Sequence, residues 1–246
     1  MTLWAVPDGP AERLALARSY PFDIPDGSFL FRNGAARPLP DAPDLAGRTP
    51  VLAIGSNQSP AQLARKFAHL PGTEIPVTRV WLDDYDICYA THVTRYGSIP
   101  GNLHPCNGMR VRLSITWLDE TQLCVMHATE IVGESYVYAR LNRLGLETED
   151  GRRVDSALAY VSLHGVMRID GAPLGLASMA AEGRPHPAAF QNEALAALHR
   201  RCGSRDAIAD FILAAIADPA ERTRRTDLLR SDPIRSDWPL LEILER

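Results

Sequence analysis

Between Val51 and Phe67 the chain reads VLAIGSNQSPAQLARKF, an apolar run that stops on glycine and passes straight into a helix start. Pro50 to Ile54 suits a buried strand, being short, apolar and closed by Gly55. Ser59 followed by Pro60 marks the helix N-terminus, a side-chain cap followed by a residue that needs no N–H. Leu63, Phe67 and Leu70 then recur at helical spacing. A strand joined to a helix through so short a link must turn tightly at Gly55. That turn leaves the N–H groups of Ser56 and Asn57 free for an anion, with two polar side chains beside them. Simple capping of the helix by Ser56 or Asn57 is the structural alternative.

The residues that follow alternate in character. Ile75–Leu82 and Tyr85–Val93 read as two strands, and Tyr96–Gly108 as a turn-rich loop. Val111, Leu113, Ile115 and Trp117 alternate with polar residues, as in a half-buried strand. Asp119–Glu130 predicts a helix with Leu118, Val125 and Met126 inward, and Ser135–Leu141 and Ala157–Val161 predict two more strands. The first 48 residues are rich in Pro, Gly and Asp; periodicity is weak after Ala11–Tyr20, and Asn33–Arg48 reads as a linker or surface arm. Beyond Pro187 the pattern becomes helical, over Ala189–Arg201, Arg205–Ala217 and Pro219–Arg230. The expected architecture is α+β, one elaborated domain made of an N-terminal arm (1–48), a β-rich core (49–165) and a helical C-terminal extension (166–246). The apolar faces of the last helices either pack on the body or offer a self-association surface.

Composition narrows the partners. An apolar fraction of 46% with 23% charged residues supplies a core and excludes extensive disorder. Basic and acidic residues number 26 and 30, and the densest basic stretch, Arg222, Arg224, Arg225 and Arg230, is interleaved with Glu221, Asp227 and Asp232. That is a solvated helix face, so no nucleic-acid partner is expected. Every basic residue except Lys66 is arginine, which we read as base composition. Cys88, Cys106, Cys124 and Cys202 form no CxxC or Cys/His ligand pattern, and no pair among the histidines has metal spacing, so no metal or cofactor is assigned. No apolar window approaches membrane length, and Met1–Pro10 lacks a basic start followed by an apolar run. A cytoplasmic protein with reduced thiols and no membrane partner is expected.

Glu130 ends the predicted helix beside Val125, Met126, Ala128 and Ile131. A carboxylate partly withdrawn from water holds its proton more tightly and suits general base work. A solvent-facing Glu at a helix end is the alternative.

Taken in order, Val51 to about Leu163 resembles the γ-glutamylcyclotransferase family, over less than half of the chain. That family has a strand ending in a Tyr-Gly-Ser-Asn-Leu loop, a helix, two strands, a Gly-containing turn, a strand and a short helix ending in Glu. Ile54-Gly55-Ser56-Asn57-Gln58 resembles the substrate loop, with Ile54 and Gln58 in place of Tyr and Leu. Tyr85–Ala90 with Tyr96-Gly97-Ser98-Ile99 resembles the strand and turn, and Met109–Trp117 the next strand. Thr129-Glu130 and the later Tyr136 resemble the acidic catalytic position and the tyrosine beyond it. The resemblance implies a small mixed β-barrel of the γ-glutamylcyclotransferase type. It further implies a γ-glutamyl small molecule bound by Ile54, Gly55, Ser56, Asn57, Gln58, Gly97 and Tyr136, with Glu130 catalytic and no cofactor or metal. The reaction would be attack of the free α-amine on its own γ-carbonyl, giving 5-oxoproline and a released amine.

Three other readings stand beside it. A non-catalytic protein of the same fold that binds a γ-glutamyl-type ligand would accommodate the Ile54 and Gln58 departures. Pterin pyrophosphokinases also follow a strand with Gly-Ser-Asn, and Asp84 and Asp86, at i and i+2, would share a Mg²⁺ ion on one strand face. Asp84 lies only 27 positions after Asn57, however, closer than that family places the two elements. A Cys/His amidase would use Cys106 with His104, or Cys124 with His127.

Overall fold

The computed structural model describes residues 5–130, 135–149, 151–238 and 241–245. Ile131, next to Glu130, lies outside them.

Five strands close a barrel: β3 (Thr49–Ala53), β4 (Glu74–Tyr89), β5 (Gly101–Leu118), β6 (Val137–Thr148) and β7 (Arg153–Val161). Around the wall β4 pairs with β5, β5 with β3, β3 with β7, β7 with β6, and β6 with β4 again. All these pairings are antiparallel except β3–β7, where Val51 faces Leu158 and Leu52 faces Ala159. The small mixed barrel that the resemblance implied is therefore present. Alternation sends Leu52, Leu82, Leu113, Ile115, Leu141 and Ala159 inward to one core. Val51, Ile75 and Val77 point outward, where helices α2 (Pro60–Phe67) and α3 (Glu120–Thr129) cover them with Leu63, Phe67 and Met126.

Several elements differ from the sequence reading. The two strands expected over Ile75–Val93 are one strand, β4, bent by a bulge between Asp83 and Tyr85 with Asp84 at φ 62°. A bulge adds a residue and turns the strand without ending it, which mimics a break in the pattern. Its partner β5 begins at Gly101, inside the expected loop, so a tight turn occupies only the residues before it. Ser114 and Thr116, expected to face solvent, are buried with their apolar neighbours. The N-terminal segment is not only arm: after α1 (Pro10–Arg18), β1 (Phe29–Arg32) and β2 (Ala35–Pro38) form a hairpin whose β1 extends the sheet at β4. Asn33 and Gly34, at φ 50° and 76°, make its two-residue turn, the conformation that pair favours.

The C-terminal segment does not open as helix. Residues 166–190 carry five two-residue strands: β8 (Arg168–Ile169), β9 (Ala172–Pro173), β10 (Gly175–Leu176), β11 (Ala181–Glu182) and β12 (Ala188–Ala189). Of these, β10 meets β4 and β11 meets β5. Then come α4 (Gln191–Arg201), α5 (Ile208–Ala217) and α6 (Pro219–Arg230), and β13 (Leu241–Glu245) returns to pair with β6. Leu195, Leu198, Phe211, Ile212 and Leu229 enter the main core, so the apolar faces of the last helices are spent on the body. Among the described residues no helix is long and apolar enough to cross a membrane.

Helix α3 is set by its first turn. The Gln122 N–H donates to Asp119 Oδ1 at 2.8 Å, the Asp119 N–H donates to Gln122 Oε1 at 3.1 Å, and Gln122 Nε2 donates to the Glu74 carbonyl at 3.0 Å. Replacing a capping side chain by alanine typically costs about 1 kcal/mol. Asp119→Ala should lower the unfolding free energy by that amount, read as a lower urea midpoint with an unchanged slope; an unchanged midpoint would remove the cap from the account.

Candidate functional site

One cavity of about 610 Å³ opens where the end of β3, the first turn after it, α2, the end of α3 and the 92–101 loop converge. Ile54, Gly55, Ser56, Asn57, Glu130 and Tyr136 all line it. The link after Gly55 is a 3₁₀ turn over Ser56–Gln58, and Ser59 caps α2 by accepting from the Ala61 N–H at 3.3 Å. Capping therefore falls to Ser59. The N–H groups of Ser56 and Asn57 take no backbone acceptor among the described residues. Three residues per turn place consecutive side chains about 120° apart, so Asn57 faces the cavity while Gln58 points away.

Two of the expected binding residues are placed elsewhere. Gln58 is fully buried, its Oε1 accepting from Arg79 Nη1 at 2.6 Å and Ser114 Oγ at 3.2 Å. Burial, aided by Arg112, pushes the Arg79 guanidinium down to about 10. Gly97 (φ 84°) packs on α5, where a Cβ would stand 2.9 Å from Ile216 Cγ1. Neither lines the cavity.

Glu130 is the C-cap of α3, its N–H donating to the His127 carbonyl at 3.2 Å. A carboxylate at the negative end of a helix is disfavoured unless a cation answers it. Lys66, from α2, does so: its Nζ bonds Glu130 Oε1, and the same oxygen accepts from Asn57 Nδ2 at 2.9 Å. The pair is almost dry, with side-chain exposures of 4% for Lys66 and 14% for Glu130. Asn57 Oδ1 is buried and has no partner among the described residues.

Phenols surround this pair. Burial, with a contribution from the Glu130 charge, raises Tyr20, Tyr136 and Tyr160, and takes Tyr96 up to about 12, so all four are neutral. The Ser56 hydroxyl bonds Tyr96. His92, under Tyr136 (Nε2 to Oη 3.3 Å), is pushed down to about 3 by burial, then by Arg230 and His164.

Much of this wall was not anticipated. Tyr20 comes from the N-terminal segment, its Oη accepting from the Gly101 N–H at 2.7 Å and lying where a Cβ on Gly55 would be, at 2.0 Å. Only glycine fits there because the phenol approaches the backbone so closely. Arg222, Thr226 and Arg230 of α6 form the opposite wall, held by the Val93 N–H donating to Thr226 Oγ1 at 3.2 Å. The signal for Lys66 was its uniqueness, a single lysine in a chain that otherwise uses arginine.

The paired-aspartate arrangement does not form. The bulge turns Asp84 out, where its Oδ1 accepts from the Gly108 N–H at 2.8 Å, while Asp86 is buried against Arg184. Among the described residues no hydrogen bond joins Cys106 to His104 or Cys124 to His127; these histidines bond Ser236 (Nδ1 to Oγ 2.7 Å) and Tyr160 (Nδ1 to Oη 3.0 Å). The one group of three metal-type donors found among the described residues, Asp86, Cys88 and His186, lies outside the cavity.

No family model matches the chain, and no curated protein matches it. Among solved structures it is distantly similar to the solution structure of At5g39720.1 from Arabidopsis thaliana. The identity is 17% and the TM-score 0.38, over 65% of this chain and 88% of that one. A gamma-glutamyl cyclotransferase structure gives 10% identity and a TM-score of 0.39, over 76% of this chain and 89% of that one.

Two predictions come from the packed residues of this site. Gly55→Ala should cost about 1–3 kcal/mol by overpacking against Tyr20. The loss should be smaller when introduced into Tyr20→Phe, which removes the clashing oxygen; equal losses in both backgrounds contradict the close approach. The second concerns His92. Its folded value of about 3 lies below its ordinary 6.5, so the unfolded chain binds the extra proton between those values. Stability from this group is present above pH 6.5 and is lost as pH falls through that window. The drop in melting temperature from pH 7 to pH 5 should be smaller in His92→Gln than in wild type; equal drops would assign the acid sensitivity to other groups.

Proposed function

We propose that the chain is a γ-glutamylcyclotransferase-type enzyme, cyclising a γ-glutamyl amide to 5-oxoproline with release of an amine. The observation that carries this reading is the meeting of Glu130 with the Gly55–Asn57 turn in one cavity, Oε1 bonded to Asn57 Nδ2 at 2.9 Å. A γ-glutamyl head presents an ammonium and a carboxylate. The Glu130 carboxylate and Asn57 Oδ1, unpartnered among the described residues, are acceptors for the first, and the N–H groups of Ser56 and Asn57 are donors for the second or for an oxyanion.

An ammonium is not a nucleophile, so Glu130 takes one of its protons. The freed amine attacks the γ-carbonyl carbon, closing a five-membered ring and placing negative charge on the carbonyl oxygen. The bond from that carbon to the leaving nitrogen then breaks as Glu130 returns the proton to it. The ring nitrogen gives up its second proton through the same carboxylate to the departing amine, leaving a neutral lactam and an ammonium. Both reacting groups belong to one molecule, so orientation supplies much of the acceleration. Lys66 holds the carboxylate at the mouth of α3. Once Glu130 carries the proton, the Lys66 ammonium is free to answer the oxyanion. The part of the cavity walled by α6 is left for the released amine.

One observation favours the second reading, a protein that binds such a ligand without turning it over. Lys66 Nζ already bonds Glu130 Oε1 and competes for the lone pair that a base needs.

In the cyclotransferase reading Glu130→Gln should reduce 5-oxoproline release from γ-glutamyl amides by about 10²-fold or more while the melting curve stays cooperative. Undiminished turnover would exclude Glu130 as the base. Calorimetric binding of a γ-glutamyl amide to wild type, with no product, would establish the second reading instead.

A further inference from the structure

We propose that Asp86, Cys88 and His186 form a zinc(II) site that fastens the 172–190 segment to the outer half of β4. Asp86 and Cys88 stand at i and i+2 on β4, hence on one face, and both are fully buried. His186 arrives from the segment just before β12, which is brought there because β12 pairs with β10 and β10 meets β4 at Gly175 and Cys88.

The three donor atoms make a triangle. Asp86 Oδ2 is 3.2 Å from His186 Nε2, and Cys88 Sγ is 3.8 Å from that oxygen and 3.9 Å from that nitrogen. Zinc bonds of about 2.0–2.3 Å at tetrahedral angles put such donors about 3.4–3.6 Å apart, so the triangle already approximates one face of the coordination polyhedron. A thiolate with an imidazole selects zinc over magnesium or calcium.

The surroundings match what a ligand set of this kind requires. His186 Nδ1 lies 3.3 Å from the Pro187 carbonyl. In the tautomer that donates Nδ1–H there, the Nε2 lone pair faces the Asp86 oxygen and a cation bridges the two; in the other tautomer Nε2–H donates to that oxygen at 3.2 Å. Arg184 holds the carboxylate with its fork, Nε donating to Oδ2 and Nη2 to Oδ1, each at 2.8 Å. Gly175 leaves the cradle open: a Cβ there would stand 2.9 Å from Arg184 Nε and 3.2 Å from Asp86 Oδ2. Water completes the tetrahedron, and His104 stands beyond the ligand group. His104 is the cross-strand partner of Asp86, and its ring centroid is 6.4 Å from that of His186. Cys88 binds as thiolate, its proton passing to solvent.

The test uses the full chain, stripped with a chelator and titrated with Zn²⁺ against a chromophoric competitor. One equivalent should bind and raise the melting temperature. Co²⁺ should give a sulfur-to-cobalt charge-transfer band, absent in Cys88→Ser. His186→Ala should weaken Zn²⁺ binding at least 10-fold, and the exposed Cys124→Ser should change neither readout. Should Cys88→Ser fail to fold, the His186→Ala titration decides. Absence of stoichiometric uptake, or uptake indifferent to His186→Ala, would overturn the site and leave Asp86 as the hydrogen-bond partner of Arg184 and His186.

Discussion

A strand of sixteen residues cannot stay flat and straight in a small barrel, because the twist between neighbouring strands accumulates along it. β4 takes up the bend at Asp84, and the rest of the molecule is arranged on either side of that bulge. Before it, β4 belongs to the barrel wall and pairs with both β5 and β6. Beyond it, β4 and β5 run out of the barrel as a two-stranded ribbon, with Tyr89 opposite Gly101 at its end. That ribbon is the platform on which the 172–190 segment lies. Tyr89 Oη donates to the Ala189 carbonyl at 3.0 Å, directly before α4. From α4 the chain reaches α5 and α6, and α6 closes one wall of the cavity.

The second constraint is electrostatic. An ammonium and a carboxylate in so dry a setting persist only because each satisfies the other, and removing one partner of such a pair typically costs about 3–5 kcal/mol. Lys66 comes from α2 and Glu130 from the end of α3, so the pair also ties together two helices that cover the same outer face of the barrel. An arginine would not substitute simply: its planar fork is larger than a compact ammonium and would meet Met126, whose Sδ is 3.3 Å from Nζ. The neutral phenols and the neutral His92 add hydrogen-bonding groups around the Lys66–Glu130 pair without adding charge.

The local elements were legible where one interaction, close in sequence, sets them. The turn from β3 to α2 announced itself through Gly55, Ser59 and Pro60, and the start of α3 through Asp119. The barrel core was legible as alternation in β5. Asn33-Gly34 carried a hairpin signal that the surrounding prolines obscured. The bulge at Asp84 was misread because an extra residue shifts the alternation by one, which looks the same as two strands with a break. Ser114 and Thr116 read as solvent-facing because their burial depends on Gln58, Arg79 and Val51, none of them near in sequence.

By itself the sequence determined the order of helices and strands through the middle of the chain, and the identity of a turn able to present N–H groups to an anion. These follow from steric preference and hydrophobic period, which act over a few residues. Tertiary structure alone decided who shares the cavity: Tyr20 from the N-terminal segment, Lys66 and Glu130 from two helices, and Arg222 and Arg230 from the last one. It also decided that Asp86 and Cys88 face His186, a residue 98 positions further along the chain than Cys88. Such meetings are set by barrel closure and by where the ribbon of β4 and β5 points, and no local pattern in the chain encodes either.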